Sequence, residues 1–398
     1  MLGFPIEVIS GREEARLIYA GVACLQPSAT PRLVIDIGGR STEMILGLDD
    51  QPTAAESFKV GSVGLTARFF ADGRLGADAF RAAQIAAGAE LEEALQPFGP
   101  SHWREALGSS GTTGAVSEVL AALGRTDGRI TPEGLRWLIR QCIAAGHVER
   151  LQWPRLDAER RGFIGGALAL LYTLLAQFQI GELRAVRGAL RQGVIVDLSQ
   201  RLGAGPQRGG DLRSRTVREL QARFDVDLEQ SRRVRQVATA LFGAAAAEAP
   251  ETDPLRELQW ACDLHEAGLM VSHHDHHRHG AYLVTQVDAP GFSLSQQERV
   301  AELVLGQRGS LRKLARVTQD PAFAWQVLAL RLACIASHAR NAALPSGTLR
   351  LRRKGRIALL ELGARWAARN PRTVHLLHEE VEAWARQPGS LGLALKTA

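Results

Sequence analysis

The sequence predicts an α/β lobe with a mixed sheet, then an all-helical domain and a small α+β subdomain at the C-terminus. Three observations support this fold class. Strand-like and helix-like runs alternate over the first 200 residues. From about residue 213 onward, apolar residues recur at three- and four-residue spacing. A glycine-rich segment, 202–211, separates the two patterns and is expected to be a linker.

In the first part, short apolar runs that end at turn-forming residues predict strands near 5–9, 32–37, 43–48, 54–60, 104–109 and 183–187. Ser10 and Glu13 have the spacing of a capping box, so a helix should begin at this point. The expected helices cover residues 11–23, 62–70, 77–97, 111–123, 132–146, 163–179 and 189–200. A hairpin followed by another strand and interleaved helices is typical of a mixed sheet.

In the second part, helices are expected at 213–224, 228–247, 254–271, 280–285, 295–305 and 323–343. One further helix is expected to carry a basic run made of Arg308, Arg312, Lys313 and Arg316. Residues 348–356 and 357–362 could form a hairpin before a last helix at 374–386. The tail therefore predicts a small appended α+β subdomain.

Composition limits the protein classes to consider. The net charge is +6, with 48 Lys and Arg, nearly all of them Arg, against 42 Asp and Glu. This charge would attract a polyanion by long-range steering, although a GC-rich coding sequence is an alternative cause of the arginine content. The four cysteines are scattered, which argues against a disulfide framework or a thiolate zinc site and favours a cytoplasmic protein. No apolar run is long enough to cross a bilayer.

The segment 34–46 is the most informative stretch. A strand ends at Asp36, turns through Gly38 and Gly39, presents Ser41 and re-enters a strand at Glu43. Paired glycines let the backbone turn tightly and bring its N–H groups near a phosphate. Carboxylates at either end of the turn could hold a hydrated Mg²⁺. An ordinary Gly-Gly hairpin with a polar tip remains the alternative.

Three other segments favour phosphate handling. Glu14 would lie in the first turn of the helix that follows Ser10. Residues 108–114 form a loop of small residues that opens a helix, and helix N-termini attract anions. Residues 187–193 provide a further glycine-bearing strand end.

These segments resemble the exopolyphosphatase/guanosine pentaphosphate phosphatase (Ppx/GppA) family, which belongs to the actin-like ATPase-domain superfamily. The resemblance runs nearly end to end, through residues 9–18, 36–43, 61–64, 109–112, 188–193, 264–268 and 277–282. It implies an actin-like (RNase H-like) lobe followed by a degenerate HD-like helical domain.

The resemblance also implies roles for individual residues. Glu14 would be the general base that activates the attacking water, and Asp36 and Glu43 would bind Mg²⁺ or another divalent cation. Arg16 would pair with a carboxylate rather than touch substrate. The phosphate would be held by backbone N–H groups and side-chain donors of Gly38, Gly39, Arg40, Ser41, Ser110, Gly111 and Thr112.

The family's first phosphate loop, Asp-x-Gly-Ser-Asn-Ser, has no match in this sequence. Most of the first lobe is therefore expected to be missing. The implied domains are a remnant of that lobe, the second lobe, a linker, the HD-like domain and the C-terminal subdomain, at 1–17, 18–200, 201–212, 213–345 and 346–398.

A histidine cluster in the helical part raises the question of a metal site. HD-type phosphohydrolases use His and Asp ligands, but here the pair is His265-Glu266, and Arg235-Gln236 stands where another histidine would be needed. The cluster could instead line a polyanion path, more strongly when protonated. That path is expected to include His277, Arg278, His279, Arg308 and Arg312. The basic run 350–356 could extend the path or protect a solvated edge strand.

The leading hypothesis is an exopolyphosphatase that uses Mg²⁺ to release orthophosphate stepwise from inorganic polyphosphate. The helical half would bind the rest of the polyphosphate and contribute to a homodimer. One alternative is a hydrolase that removes the 5′-terminal phosphate of guanosine pentaphosphate, which needs a pocket for guanine. Another is a truncated, non-catalytic polyphosphate-binding protein.

Overall fold

The computed structural model describes residues 6–201, 211–245, 253–314, 316–340, 344, 347–387 and 391–397. The chain divides into two compact units. One consists of residues 9–208 and is called the α/β unit. The other consists of residues 1–8 and 209–398 and is called the helical unit. Most of the expected linker, residues 202–210, lies outside the described residues.

The α/β unit contains eight helices and five strands in its described part. In chain order these are α1 (Gly11–Leu25), β1 (Arg32–Ile37), β2 (Thr42–Leu48), β3 (Gln51–Phe58), α2 (Ser62–Phe69), α3 (Ala77–Glu90), β4 (Glu105–Gly108), α4 (Gly111–Ala122), α5 (Pro132–Ala145), α6 (Ala158–Arg161), α7 (Ile164–Gln177), β5 (Arg184–Ala185) and α8 (Leu190–Arg201). The Ser10 hydroxyl accepts a hydrogen bond from the Glu13 N–H at 3.2 Å, which confirms the expected start of α1.

The strands form one mixed sheet in the order β3-β2-β1-β4-β5. The β1–β2 and β2–β3 pairs are antiparallel, whereas β4 runs parallel to β1 and to β5. Alternate residues of β1 enter different cores. Val34 packs in the core that contains α1, while Ile35 and Ile37 pack in the larger core on the other face.

Helix α1 packs against α8 through glycines. A Cβ atom at Gly193 would overlap the carbonyl oxygen of Leu17, and one at Gly21 would overlap that of Ala189. These glycines permit a close helix–helix approach. The interpretation of 187–193 as a phosphate-binding strand end is therefore corrected, since Gly188 and Gly193 are both packed against α1.

The described part of the helical unit contains helices, then a small sheet. Its elements are α9 (Leu212–Arg223), α10 (Leu228–Ala245), α11 (Asp253–Leu264), α12 (His276–Gln286), α13 (Leu294–Gly306), α14 (Arg316–Gln319), α15 (Pro321–Ala336), β6 (Leu349–Lys354), β7 (Ile357–Leu362), α16 (Ala364–Arg369), α17 (Pro371–Ala385) and β8 (Gly392–Thr397). β6 and β7 form the expected antiparallel hairpin, and β8, which the sequence analysis missed, joins β7 in parallel.

One hydrophobic core connects the helices of this unit with its small sheet, including Leu328, Leu360 and Leu377. Within it, Arg331 donates two hydrogen bonds to the Glu380 carboxylate, at 2.5 and 2.7 Å. Both side chains are buried. This charge pair fixes α17 against α15.

Two predicted elements are wrong. The described residues of the expected strand 5–9 form no strand, because Val8 O accepts a hydrogen bond from Leu294 N at the start of α13 instead of from another strand. The basic run beginning at Arg308 does not form one helix. Helix α13 ends at Gly306, Gly309 takes a positive φ of 75°, and only a 3₁₀ turn at 311–313 and the short α14 follow.

The predicted fold class is confirmed: a mixed sheet with helices, then a helical region, then a small α+β part. The expected boundary between residues 17 and 18 falls inside α1, so assignment of 1–17 to a first lobe stays a prediction. In the part of the chain that the structure describes, every helix is too short or too polar to cross a membrane.

Candidate functional site

The candidate site lies at the carboxyl ends of β1 and β4. These strands are parallel neighbours, with Ile35 opposite Gly108, so their following loops leave the same sheet edge. Ser109 N donates to Ile35 O at 3.0 Å, and the Thr112 hydroxyl donates to Ile37 O at 3.2 Å. These bonds hold the two glycine-bearing loops together.

Three carboxylates meet on the face of the sheet that α1 covers. Asp36 lies directly opposite Glu43 in the β1–β2 ladder, and Glu43 lies opposite Ser57 in the β2–β3 ladder. Helix α1 begins against Ser57, since a Cβ atom at Gly11 would lie only 2.5 Å from the Ser57 Cβ. Its first turn thereby brings Glu14 close enough to repel both Asp36 and Glu43 electrostatically.

The pKa values of these three carboxyls are all raised. For Glu14, burial is the larger cause and the charge of Asp36 the smaller. Burial also raises the pKa of Asp36, opposed by a 2.5 Å hydrogen bond from the Ser109 hydroxyl. Burial raises the pKa of Glu43, opposed by hydrogen bonds from the Ser57 and Ser41 hydroxyls. A half-buried carboxylate with a raised pKa is a better proton acceptor than an ordinary one.

The donor set fits a hydrated divalent cation. Among the described residues, no three His, Cys, Asp or Glu side chains are placed to hold a metal ion directly. Asp36 and Glu43 nevertheless face each other and have raised pKa values, which a nearby cation would lower again. Mg²⁺ usually keeps several waters and needs only one or two protein carboxylates. Asp36 and Glu43 are therefore suited to hold it through its waters.

The turn after β1 differs in detail from its predicted use. Gly38 N donates to Ser41 O at 2.9 Å, so the expected Gly38 donor to phosphate is already used within the turn. The Ser41 hydroxyl likewise bonds to Glu43. By contrast, the N–H groups of Gly39 and Arg40 donate to no backbone carbonyl in the described ranges. The Arg40 side chain is exposed.

Residues 61–64 pack against this turn and bond to it. Val63 N and Gly64 N both donate to Gly39 O, each at 2.9 Å. A Cβ atom at Gly61 would lie 2.5 Å from Arg40 N, so a larger residue would push the turn away. Residues 61–64 thus fix the conformation of the Gly39–Arg40 turn.

The second loop ends at the N-terminus of α4. Ser110 caps this helix, accepting a 3.1 Å hydrogen bond from Thr113 N. The N–H groups of Gly111 and Thr112 lie in the first turn, where an α-helix leaves its amides without intrahelical partners. They remain the predicted anion donors, and the helix dipole adds to their effect.

Beside both loops lies a cavity of about 220 Å³. Its walls are mostly apolar and come from α2, α4 and α7, and Arg160 of α6 supplies its charged group. The lining residues are Ile37, Gly38, Gly39, Ser62, Val63, Gly111, Thr112, Ala115, Val116, Leu156, Arg160, Phe163, Ile164 and Ala167. The sequence analysis did not anticipate this cavity, since its walls come from segments far apart in the chain.

Some supporting residues were also missed. Ser57 is identifiable only once the β2–β3 register is known, and Ser109 only once β4 is placed beside β1.

Arg16 pairs as predicted with carboxylates, donating to Glu13 at 2.7 and 2.8 Å and to Asp197 at 2.8 Å. Asp197 is 181 residues away in sequence, so no local pattern could identify it.

In the helical unit, arginines pair with the acidic residues of the HD-like segment. Arg235 of α10 donates to Asp263 at 2.6 Å, and Arg340 pairs with Glu266. Burial raises the pKa of Asp263 to about 6 and lowers that of His265 to about 4. Arg235, which stands where the sequence analysis looked for a further histidine ligand, is thus paired with a carboxylate.

The predicted polyanion path is exposed only in part. Arg278, Arg308 and Arg312 are exposed and His279 is half-buried, whereas His277 is buried beneath them. Burial lowers the pKa of His277 to about 4. This corrects the expectation that His277 would strengthen polyanion binding by protonation, because its charged form is disfavoured near neutral pH.

The basic run at 350–356 lies on β6, an edge strand of the small sheet in the part described. Arg352 pairs with Glu361 at 3.1 Å on the neighbouring strand, and the Arg353 guanidinium lies over the Trp325 ring. These contacts favour the edge-strand interpretation over a channel.

Comparison with known proteins gives two family matches. Residues 1–202, just over half of the chain, match the Ppx/GppA phosphatase family, and residues 212–381 match domain III of Ppx/GppA phosphatases.

Several solved structures are similar. An exopolyphosphatase-like protein is 24% identical with a TM-score of 0.44, and the match covers 50% of this chain and 70% of that one. An exopolyphosphatase from Cytophaga hutchinsonii is 22% identical with a TM-score of 0.44, and the match covers 50% of this chain and 66% of that one. The Ppx/GppA enzyme of Aquifex aeolicus is 20% identical with a TM-score of 0.42, and the match covers 49% of this chain and 66% of that one. This chain spans about two thirds of their length. On the strength of the family matches, the chain belongs to the Ppx/GppA phosphatase family.

Proposed function

We propose that this protein is a cytoplasmic exopolyphosphatase that hydrolyses the terminal phosphoanhydride bond of inorganic polyphosphate and releases orthophosphate. Members of the Ppx/GppA family are phosphatases, which supports a hydrolytic reaction. One observation carries the proposal: Glu14, Asp36 and Glu43 lie close together beside the two loops at one sheet edge. The exopolyphosphatase names of two similar proteins favour polyphosphate as substrate.

Glu14 is the general base in this proposal. Its carboxylate accepts a proton from water as the water oxygen bonds to the terminal phosphorus and the bridging P–O bond breaks. The raised pKa of Glu14 suits this role. Phosphoryl transfer needs an aligned nucleophile and neutralised phosphate oxygens more than covalent chemistry.

The remaining groups bind and orient the substrate. The N–H groups of Gly39, Gly111 and Thr112 donate to the terminal phosphate oxygens, and the exposed Arg40 adds a forked donor. Asp36 and Glu43 hold hydrated Mg²⁺, which would neutralise phosphate charge when bound. Ser109 and Ser57 fix the orientation of these two carboxylates.

The helical unit is proposed to bind the rest of the polyphosphate and to contribute to a homodimer. Its exposed Arg278, Arg308 and Arg312 support polyanion binding. Polyanion contacts weaken steeply as salt concentration rises, whereas a purely structural charge cluster does not bind polyphosphate at any salt concentration. Binding to this surface is therefore testable by titrating salt.

The test measures phosphate release with Mg²⁺ from polyphosphate and from guanosine pentaphosphate, for the wild type, Glu14→Gln and Glu56→Gln. Glu56 is a carboxylate of the same unit that pairs with Arg12 at the surface. Release from polyphosphate should fall about 10²- to 10⁴-fold in Glu14→Gln and stay unchanged in Glu56→Gln.

Other results would overturn parts of the proposal. Faster release from guanosine pentaphosphate than from polyphosphate would make the nucleotide the substrate. Polyphosphate binding with no turnover in any of the proteins would indicate a non-catalytic binding protein. Equal turnover by the wild type and Glu14→Gln would remove Glu14 from its role.

A further inference from the structure

Lys313 differs from the other three lysines of the chain in its surroundings. Lys59, Lys354 and Lys396 are exposed, whereas Lys313 is half-buried in the 3₁₀ turn that follows α13. Its Nζ donates a hydrogen bond of 2.6 Å to the carbonyl oxygen of Arg308. This bond holds the amine against the backbone of the loop after α13. The proposed hydrolysis gives the amine no role.

Charged groups from several elements face this amine. Arg278 of α12, Arg308 of the loop and Arg331 of α15 all repel its positive charge. Asp275 attracts it, but Asp275 also pairs with Arg278 at 3.6 Å. Burial is the largest effect, and together with this repulsion it lowers the pKa of Lys313 to about 8.

An open position adjoins the amine at Gly309, which takes a positive φ of 75°. A Cβ atom there would lie 3.4 Å from Lys313 Nζ and 3.8 Å from His277 Nε2. Arg331, whose charge is paired with Glu380, donates to Gly309 O at 3.0 Å and so fixes this glycine. His277 is neutral near pH 7, because its pKa is about 4. A small reactive group at this position would therefore contact both the amine and a neutral imidazole.

A lysine in these surroundings is an activated nucleophile. Only the neutral amine reacts, and at pH 7.5 roughly a quarter of Lys313 is neutral, against roughly 0.1% of an ordinary lysine. A less basic amine is intrinsically a weaker nucleophile, which offsets part of this gain, as it does for thiols. Desolvation and neighbouring cations are two means by which proteins activate a lysine amine.

The neighbouring arginines favour an anionic electrophile. Arg278 and Arg308 are exposed, so they attract anions from solution toward the amine. Guanidinium groups bind phosphate through paired hydrogen bonds. An acyl phosphate joins a phosphate to a reactive carbonyl carbon. It therefore matches both the arginines and the lysine.

We infer that Lys313 is a modification site at which small acyl phosphates acylate Nζ. The Nζ lone pair bonds to the carbonyl carbon, the bond from that carbon to the phosphate oxygen breaks, and inorganic phosphate leaves with the electron pair. The proton of the resulting ammonium passes to water, so the product is a neutral amide. The inference does not depend on the proposed hydrolysis, because the reaction is observed as a mass increase on Lys313 itself.

The experiment treats the full chain with acetyl phosphate at pH 7.5 and follows acetylation of all four lysines by peptide mass spectrometry. Lys59, Lys354 and Lys396 are matched controls within the same molecule. Lys313 should be acetylated about tenfold faster than each of them, because its larger neutral fraction outweighs its weaker nucleophilicity. Acetylation of Lys313 at the same rate as an exposed lysine, or more slowly, would overturn the inference.

The pH dependence is a second readout on the same samples. The acetylation rate of Lys313 should level off above about pH 8, whereas that of Lys354 should continue to rise about tenfold per pH unit up to pH 9.5. A Lys313 rate that rises in parallel with the Lys354 rate over this range would also contradict the inference.

A neutral reagent separates the amine from the arginines. The Lys313-to-Lys354 ratio of acetylation rates should be at least about threefold larger with acetyl phosphate than with the N-hydroxysuccinimide ester of acetic acid, which carries no charge. Arg308→Gln should reduce this difference between reagents, whereas Arg386→Gln, which changes an exposed arginine of α17's C-cap, should leave it unchanged. Thermal melting verifies that both variants are folded. Equal ratios for the two reagents in the wild type would overturn the assignment to acyl phosphates.

Discussion

Replacing Asp36 by Asn should stabilise the α/β unit at alkaline pH while abolishing phosphate release. Asp36 is one of three carboxylates that repel each other at the sheet edge, and burial disfavours its charge further. The amide of Asn keeps the shape of the side chain and can still accept the hydrogen bond from Ser109. The substitution therefore removes the charge with little change in packing.

The magnitude follows from the register. Directly opposed residues such as Asp36 and Glu43 have Cβ atoms about 5 Å apart in an antiparallel pair. Two unit charges at ~5 Å repel by about 3 kcal/mol at an effective dielectric constant of about 20. Asp36 is half-buried and its neighbours bond to serines, so water and these dipoles reduce the gain to about 1 kcal/mol. A gain of this size raises Tm by about 2–4 °C.

The sign of the pH dependence follows from the raised pKa values. A carboxyl with a higher pKa in the folded state holds its proton more tightly there, so the wild type loses stability as pH rises from the ordinary value through the raised value. Asp36→Asn removes this loss. The stability difference between variant and wild type should be largest at pH 8 and approach zero near pH 3, below the ordinary pKa, where the carboxyls are protonated in both states.

Thermal melting at pH 8 and at about pH 3, with and without Mg²⁺, provides the assay. Asp50→Asn serves as the control, since Asp50 is an exposed carboxylate in the β2–β3 turn. Mg²⁺ should raise the Tm of the wild type more than that of Asp36→Asn, because a ligand stabilises only the protein that binds it. A variant that is less stable than the wild type at pH 8, or equally stabilised at both pH values, would refute the repulsion argument.

Three further predictions concern packing and charge. Gly193→Ala should lower the free energy of unfolding, measured with denaturant, by about 2 kcal/mol or more, because its Cβ atom would overlap Leu17 O. Gly181→Ala is the control, since a Cβ atom there meets open space, and it should change the free energy of unfolding by under about 0.5 kcal/mol. Glu380→Gln should cost about 3–5 kcal/mol by leaving the buried Arg331 charge without its counter-ion, whereas Glu382→Gln removes only an exposed pair and should cost under about 1 kcal/mol. Arg308→Gln should weaken polyphosphate binding and reduce the dependence of its affinity on salt concentration. His277→Gln is the matched control: the change in polyphosphate affinity between pH 8 and pH 6 should be the same as in the wild type, because the pKa of His277 is about 4.

The fold was largely predictable because its elements are encoded locally. The capping box at Ser10 and the alternating apolar runs specify elements from neighbouring residues alone. The errors arose where a distant partner decides the outcome. Residues 6–9 look like a strand, but Val8 O bonds to the start of α13 instead of to another strand. The short β8 has a strand conformation because β7 offers it a free edge.

The candidate site was predictable in its residue types and less so in its hydrogen bonds. Carboxylates and glycines at strand ends could be recognised as phosphate-handling groups from the sequence. Whether an amide is free depends on the turn that forms, and Gly38 N bonds to Ser41 O rather than remaining available to phosphate. The cavity depends on α2, α4, α6 and α7 packing around one space, which no local pattern describes.

The segment 187–193 shows how a motif can serve the site without touching it. Its glycines let α8 pack closely along α1, and Asp197 of α8 bonds to Arg16 one turn from the helix start. Arg16 in turn grips Glu13, the residue before Glu14. The position of Glu14 over Asp36 and Glu43 therefore depends on this helix pair. Loss of activity in a variant of Gly193 would thus arise from displacement of the general base and not from loss of a phosphate contact.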